Sequence, residues 1–275
     1  MYMIRALLVA LSAVALIASL AEGQIVSEQT SWRSAFDSAG AIGVFALRRI
    51  GNDTVHTSDA ARVERRFLPA STFKIPNSLL ALELEIVRDE YHPFPFTWPR
   101  AEIASWNRDH TFRTALKYSV VPAYQQIARQ VGAERYRDWL ARLDYGNADP
   151  SGGLETFWLD GNLRISALEQ IAFLDRFAQL QLPLSERSQR IVHAMLVVEA
   201  NACFVTRAKT GLIGVSATRE VEPVGWYVGW IETDAARWLF ALNLDVRKPG
   251  DPALRQRITR ELLVRAGIIP ERCES

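Results

Sequence analysis

The segments with strand character lie towards the two ends of this chain, and a long run of helical pattern, roughly residues 75–200, separates them. Ile42 to Ile50 (IGVFALRRI) is rich in β-branched and aromatic residues, and Gly51-Asn52-Asp53 is a turn signal before Thr54 to Ser58, so a hairpin is expected here. From about Ser71 to Glu199 apolar residues recur at three and four, as in Ile75, Leu79, Leu82 and Ile86, in Ile127 and Val131, and in Ile171, Leu174 and Phe177. Strand character returns in Val205 to Lys209, Gly225 to Glu232 and Trp238 to Leu244, and a last helix is expected over Pro252 to Ala266. A sheet built from such strands is completed only when both ends of the chain meet. The reading is an α+β, two-layer α-β fold: a central antiparallel sheet flanked by helices, with an inserted all-helical subdomain.

Met1 to Arg5 carry one positive charge, and Ala6 to Ala21 are then apolar apart from Ser12 and Ser19. Residues 1–23 read as a secretory signal peptide, cleaved after Ala21 or Gly23, with an uncleaved or lipid-tethered anchor as the alternative. The apolar run covers about 24 Å as a helix, short of the ~30 Å hydrocarbon core, so no stable membrane insertion is expected after cleavage. Residues 24–275 are read as a single catalytic domain exported to the periplasm, as monomer or homodimer. Thirty-two Lys plus Arg balance thirty-one Asp plus Glu, for a net charge of +1, which gives no broad field to hold nucleic acid. Neither H-E-x-x-H nor C-x-x-C occurs, so no metal site is expected. In an oxidising compartment Cys203 and Cys273 could pair, but an isolated pair in a chain of this size favours the reading of two buried or free thiols.

Chemistry is suggested by Ser71-Thr72-Phe73-Lys74, placed where an apolar helical period begins after Pro69-Ala70. Residues three apart share a helix face, so the Ser71 hydroxyl and the Lys74 amine can meet. A serine is a weak nucleophile until a base takes its proton, and a lysine can do so only when uncharged or chemically altered. Alone the spacing says little, since S-x-x-K occurs about once by chance in a chain of this length. Further elements follow in order. Ser119-Val120-Val121 precedes Pro122, where one helix should end and the next begin; Tyr145-Gly146-Asn147 has turn chemistry; Lys209-Thr210-Gly211 lies on an expected strand.

Together with Pro69 to Leu84 (PASTFKIPNSLLALEL), Trp106 to Gly132, Phe157 to Ser166 (FWLDGNLRIS) and Gly225 to Glu232 (GWYVGWIE), these elements resemble the class D, OXA-type serine β-lactamases, from about Trp32 to the C-terminus. The resemblance implies hydrolysis of small-molecule β-lactams through an acyl-enzyme on Ser71. It implies a carbamylated Lys74, made from CO2 or bicarbonate, as general base for acylation and deacylation, with no dissociable cofactor. Phe73, Val121, Trp158 and Leu159 would form the apolar shell, the Trp158 indole N–H steadying the carbamate. Ser119 would relay a proton to the leaving nitrogen beside Lys209. The backbone N–H groups of Ser71 and Leu212 would form the oxyanion hole. Thr210 and Gly211 would border the substrate and Arg255 would hold its carboxylate, with Asn147 as structural support. Leu212 departs from the family, in which most members carry an aromatic residue there.

Three other readings stand beside this one. A penicillin sensor, which stays acylated, shares the motifs but needs membrane helices and a signalling domain. A penicillin-binding transpeptidase would deacylate β-lactams slowly, and the Trp158 element argues against it. An esterase would need a nucleophile elbow, and Gly214-Val215-Ser216-Ala217-Thr218 lacks its last glycine.

Overall fold

The computed structural model describes residues 24–214 and 221–273. The expected signal peptide and Val215 to Thr218 of the near-elbow therefore lie outside the described residues.

Seven strands form the main sheet: β1 (Ile25–Glu28), β2 (Gly43–Arg49), β3 (Thr54–Thr57), β6 (Val197–Ala200), β7 (Val205–Leu212), β8 (Val224–Glu232) and β9 (Arg237–Asp245), in the order β1-β3-β2-β9-β8-β7-β6. The expected hairpin is β2–β3, in which Ala46 pairs with Thr57. Its other edge pairs with β9, Gly43 opposite Leu244, so the two ends of the chain do close one sheet. Gly43 is obligatory at this seam, because a Cβ there would sit 2.4 Å from the Asn243 carbonyl oxygen. Pairing is antiparallel except at the edge, where β1 runs parallel to β3.

Alternation along β2 sends successive side chains to opposite faces. Phe45 and Leu47 join one core with α1 (Arg33–Ser38) and α8 (Asp251–Arg265), through Phe36, Ile258 and Leu262. Val44 and Ala46 join the other core, which includes α2 (Lys74–Glu83), α4 (Val121–Val131), α5 (Ala133–Arg142) and α6 (Ala167–Ala178). Helices thus cover both faces, and the two-layer expectation becomes helix–sheet–helix. The α+β class with its central sheet stands.

The 75–200 segment is not wholly helical. Besides α3 (Phe112–Lys117) and α7 (Glu186–Met195), it holds a two-stranded ribbon of β4 (Pro93–Phe94) and β5 (His110–Thr111), and β6 at its end belongs to the main sheet. Helix α6 packs directly on β2 and β9. It begins at a capping box, in which Ser166 Oγ accepts from the Glu169 amide (3.1 Å) and the Glu169 carboxylate accepts from the Ser166 amide (2.8 Å).

The thiol reading is corrected: Cys203 and Cys273 form a disulfide, with Cα atoms 5.9 Å apart. Helix α8 lies back across the sheet, where Arg260 reaches Glu199 of β6 at 3.3 Å, and this return brings the tail beside the β6–β7 turn. Seventy residues separate the cysteines, so only the tertiary path reveals their proximity.

Candidate active site

Ser71 lies on a single 3-10 turn, Ala70–Phe73, that runs directly into α2. Three residues per turn eclipse positions i and i+3, which aligns Ser71 with Lys74 more closely than an α-helix would. Lys74 Nζ donates to Ser71 Oγ at 3.0 Å. Pro76 stands in the first turn of α2, where the ring's fixed φ suits a helix start. The backbone before Ser71 is strained: Ala70 has φ of 51°, and its amide is held by the Trp158 carbonyl at 3.0 Å.

Lys74 is fully buried, and no acidic side chain pairs with it among the described residues. Burial, reinforced by nearby Lys209, holds its amine well below the ordinary lysine range. The surroundings are aromatic. Phe73 stacks on Trp158 at 5.3 Å, and Phe157 meets both rings edge-on. The Trp158 indole N–H is buried without an acceptor, which matters because indole is a donor and nothing else. Val121 and Leu159 are only partly buried and line the cleft.

The second serine comes from the junction of α3 and α4. Ser119 has φ of 53°, and Pro122 opens the following helix, as the sequence led us to expect. Lys209 Nζ donates to Ser119 Oγ and, at 2.9 Å, to the Thr210 carbonyl. Burial, with the charge of Arg255 adding to it, brings the Lys209 amine down to about 7. Strand β7 meets the Ser71 turn at Gly211, where a Cβ would lie 2.9 Å from the Pro69 carbonyl oxygen and 3.2 Å from Thr72 Cγ2. Glycine is what permits this approach.

Leu212 is exposed on the cleft rim, and its amide faces inward by sheet geometry. Ile213 and Val224 exchange both backbone bonds (2.8 and 3.1 Å), so the neighbouring Leu212 N–H points to the opposite edge of β7. The Ala208 amide, on that same edge, bonds to Leu196, whereas Leu212 lies past the end of the β6 pairing and its N–H projects into the cleft. Arg255, from α8, donates to the Gly211 carbonyl and to that of Pro252 (2.6 Å), and burial lowers its guanidinium to about 10. Asn147 fastens the 162–164 segment, its Oδ1 accepting from the Arg164 amide and its Nδ2 donating to the Asn162 carbonyl, each at 2.8 Å.

A cleft of about 330 Å³ collects Ser71, Ser119, Val121, Leu159, Thr210, Gly211, Leu212 and Arg255. Lys209 stands behind it, and Phe73 and Trp158 lie in the core below. Sequence reasoning gave no role to Ile103, Trp106, Lys117 and Tyr118, which also line it. Trp106 Nε1 donates to the Tyr118 carbonyl (2.9 Å), and Lys117 Nζ lies 5.7 Å from the Tyr118 ring. The adjacency of Lys117-Tyr118 to Ser119 was the available signal. No acidic side chain lines the cleft among the described residues, so it suits an anion.

Residues 25–264 match the family described as "Penicillin binding protein transpeptidase domain". The chain is 46% identical over 265 residues to β-lactamase OXA-48 of Klebsiella pneumoniae, covering 95% of this chain and 98% of that one. The chain belongs to the OXA-type, class D β-lactamases. It is also 38% identical over 256 residues to OXA-10 of Pseudomonas aeruginosa (93% and 96% covered), and 37% identical over 265 residues to OXA-2 of Salmonella typhimurium (96% and 91%). No helix among the described residues is long and apolar enough to cross a membrane.

Proposed function

We propose that this β-lactamase opens β-lactams through an ester on Ser71, with Lys74 carrying a carboxyl group on its amine as general base. The observation that carries the reading is the Ser71–Lys74 contact at 3.0 Å, made by a lysine buried with no acidic partner among the described residues. An ammonium there would be poorly solvated and next to a second cation, so the amine is held ready to react. Its nitrogen bonds to the carbon of CO2 and one proton leaves to solvent. The residues present fit the product. The unaccepted Trp158 N–H is a donor for an anionic oxygen, and Phe73, Val121 and Leu159 supply the apolar shell. When present, this carboxylate supplies the proton acceptor that an ammonium cannot be.

Ser71 Oγ attacks the lactam carbonyl, and the C–N bond breaks. The backbone N–H groups of Ser71 and Leu212 receive the developing oxyanion, the first helped by its place at a helix N-terminus. Ser119 hands a proton to the departing nitrogen and is replenished from Lys209, whose depressed value suits transfer near neutrality. Arg255 holds the substrate carboxylate, and Thr210 and Gly211 form the strand edge against which the substrate lies. Water then cleaves the ester and restores the serine.

The same reading takes residues 24–275 as one catalytic domain, released into the periplasm when residues 1–23 are removed, with CO2 or bicarbonate as its one small-molecule requirement beyond substrate. Purified protein should turn over a chromogenic cephalosporin repeatedly, lose activity in degassed buffer and regain it with bicarbonate. Its intact mass should include one added CO2 that vanishes in Lys74→Ala. Stable acylation of Ser71 without turnover would instead mark a penicillin sensor or a transpeptidase.

A further inference from the structure

Beneath Lys74 lies a pair of hydroxyls that the reaction does not use. Ser78 is one α-helical turn beyond Lys74 on α2, so the two side chains share a face. Its Oγ lies 2.7 Å from the hydroxyl of Tyr124 on α4, and the Tyr124 ring centroid lies 5.0 Å from Lys74 Nζ. All three residues are fully buried. The ring is therefore fixed at both ends, by the backbone of α4 and by Ser78, with the amine lodged over its face. The neighbouring pair serves a different wall: Tyr136 donates to Asn77 Oδ1 (2.8 Å), and its ring packs on Phe73 and Phe157.

We infer that Ser78 and Tyr124 are positioning residues for the Lys74 amine: the tethered ring closes the lysine pocket on the α4 side, keeps water off the nitrogen and so sets how readily it takes up CO2. This rests on Lys74 being the carboxylated base. An aromatic face attracts a desolvated ammonium, which by itself would favour the protonated and unreactive amine. Burial acts the other way and prevails, since the amine is held well below its ordinary range. The wall matters by excluding water. Lys209 is the charged group that acts on Lys74 from outside α2 and α4.

The informative variant removes both hydroxyls, Ser78→Ala with Tyr124→Phe, because either change alone strands a buried polar partner and the pair together strands none. Bicarbonate is titrated into degassed enzyme while hydrolysis of a chromogenic cephalosporin is followed. The half-saturating bicarbonate concentration should rise by about tenfold, the change in neutral amine that one pKa unit produces. Saturating bicarbonate should return turnover close to the parent's. If the double variant does not fold, Tyr124→Phe alone carries the same expectation, and Ser78→Thr, which keeps a hydroxyl, should behave as the parent. An unchanged half-saturating concentration overturns the inference, and so does a loss of turnover that bicarbonate cannot restore, which is the mark of mere packing. A parent enzyme with no bicarbonate dependence and no added CO2 mass would overturn the base reading of Lys74 instead, and the positioning role with it.

Discussion

Two serine–lysine pairs meet at the cleft, and they are built in opposite ways. Ser71 and Lys74 are three residues apart on one turn, so their contact is almost a property of the local backbone. Ser119 and Lys209 are ninety residues apart, and they meet only because the helical insert packs against β7. Their environments differ as well. Lys209 has two oxygen acceptors, Ser119 Oγ and the Thr210 carbonyl, and burial brings its amine down to about 7. Lys74 has an apolar shell, with the Ser71 hydroxyl and the Tyr124 ring face beside its nitrogen, and burial holds its amine well below the ordinary lysine range. In the proposed scheme the local pair holds an uncharged amine and the distant pair trades a proton near neutral pH.

Removing each lysine breaks the comparison most sharply. Lys74→Ala should lower turnover by roughly 10³-fold or more and let the Ser71 ester accumulate, as seen by intact mass. Lys209→Ala should cost roughly 10²-fold in kcat/KM through slower acylation, while an ester already formed is still cleaved, which burst kinetics would separate. A lysine whose removal left both steps intact would have no place in this scheme.

Next in size is the junction between the pairs. Gly211→Ala puts a methyl against the Pro69 carbonyl and Thr72, pushing β7 from the nucleophile turn by a few tenths of an ångström. Turnover should fall by roughly ten- to a hundredfold with little change in melting temperature, since misplacement rather than unfolding is the cause.

Stability sharpens the same contrast. Both lysines bind a proton less tightly folded than unfolded, so between the folded and unfolded values the unfolded chain holds more protons and stability rises with pH. For Lys209 that window runs from about 7 to 10.5, and for Lys74 it likewise lies below the ordinary lysine value. Each group contributes about 1.4 kcal/mol per pH unit within its window and nothing further below it. Lys74→Met, measured in bicarbonate-free buffer, should therefore raise the melting temperature at neutral pH and flatten its pH slope while abolishing turnover.

The smallest catalytic effect is expected at the disulfide. Replacing Cys203 and Cys273 by serine should lower stability by about 2–4 kcal/mol and leave kcat/KM nearly unchanged, because the bridge lies away from both pairs.

What could be read from residues follows the same division. The Ser71–Lys74 spacing, the β2–β3 hairpin and the last helix are local and carry their own signals. Strand β6 was hidden because Val197–Ala200 follows α7 with only Leu196 between them, and its pairing partner lies further along the chain. Strand β1 is four residues long and gains its place only through β3. Ile103 and Tyr118 line the cleft through loop paths that no periodicity encodes. Gly211 was named for its motif, but its reason, the approach to Pro69, belongs to three dimensions.

The seam between β2 and β9 has a consequence in time. Gly43 waits for Leu244, some two hundred residues behind it, and Lys209 and Arg255 also arrive in the last third of the chain. Contacts of such separation form slowly, and during synthesis they cannot form until nearly the whole polypeptide has left the ribosome. A nascent or truncated chain thus has Ser71 and Lys74 without the strand edge that closes the cleft beside them, and the assembled site appears late and all at once.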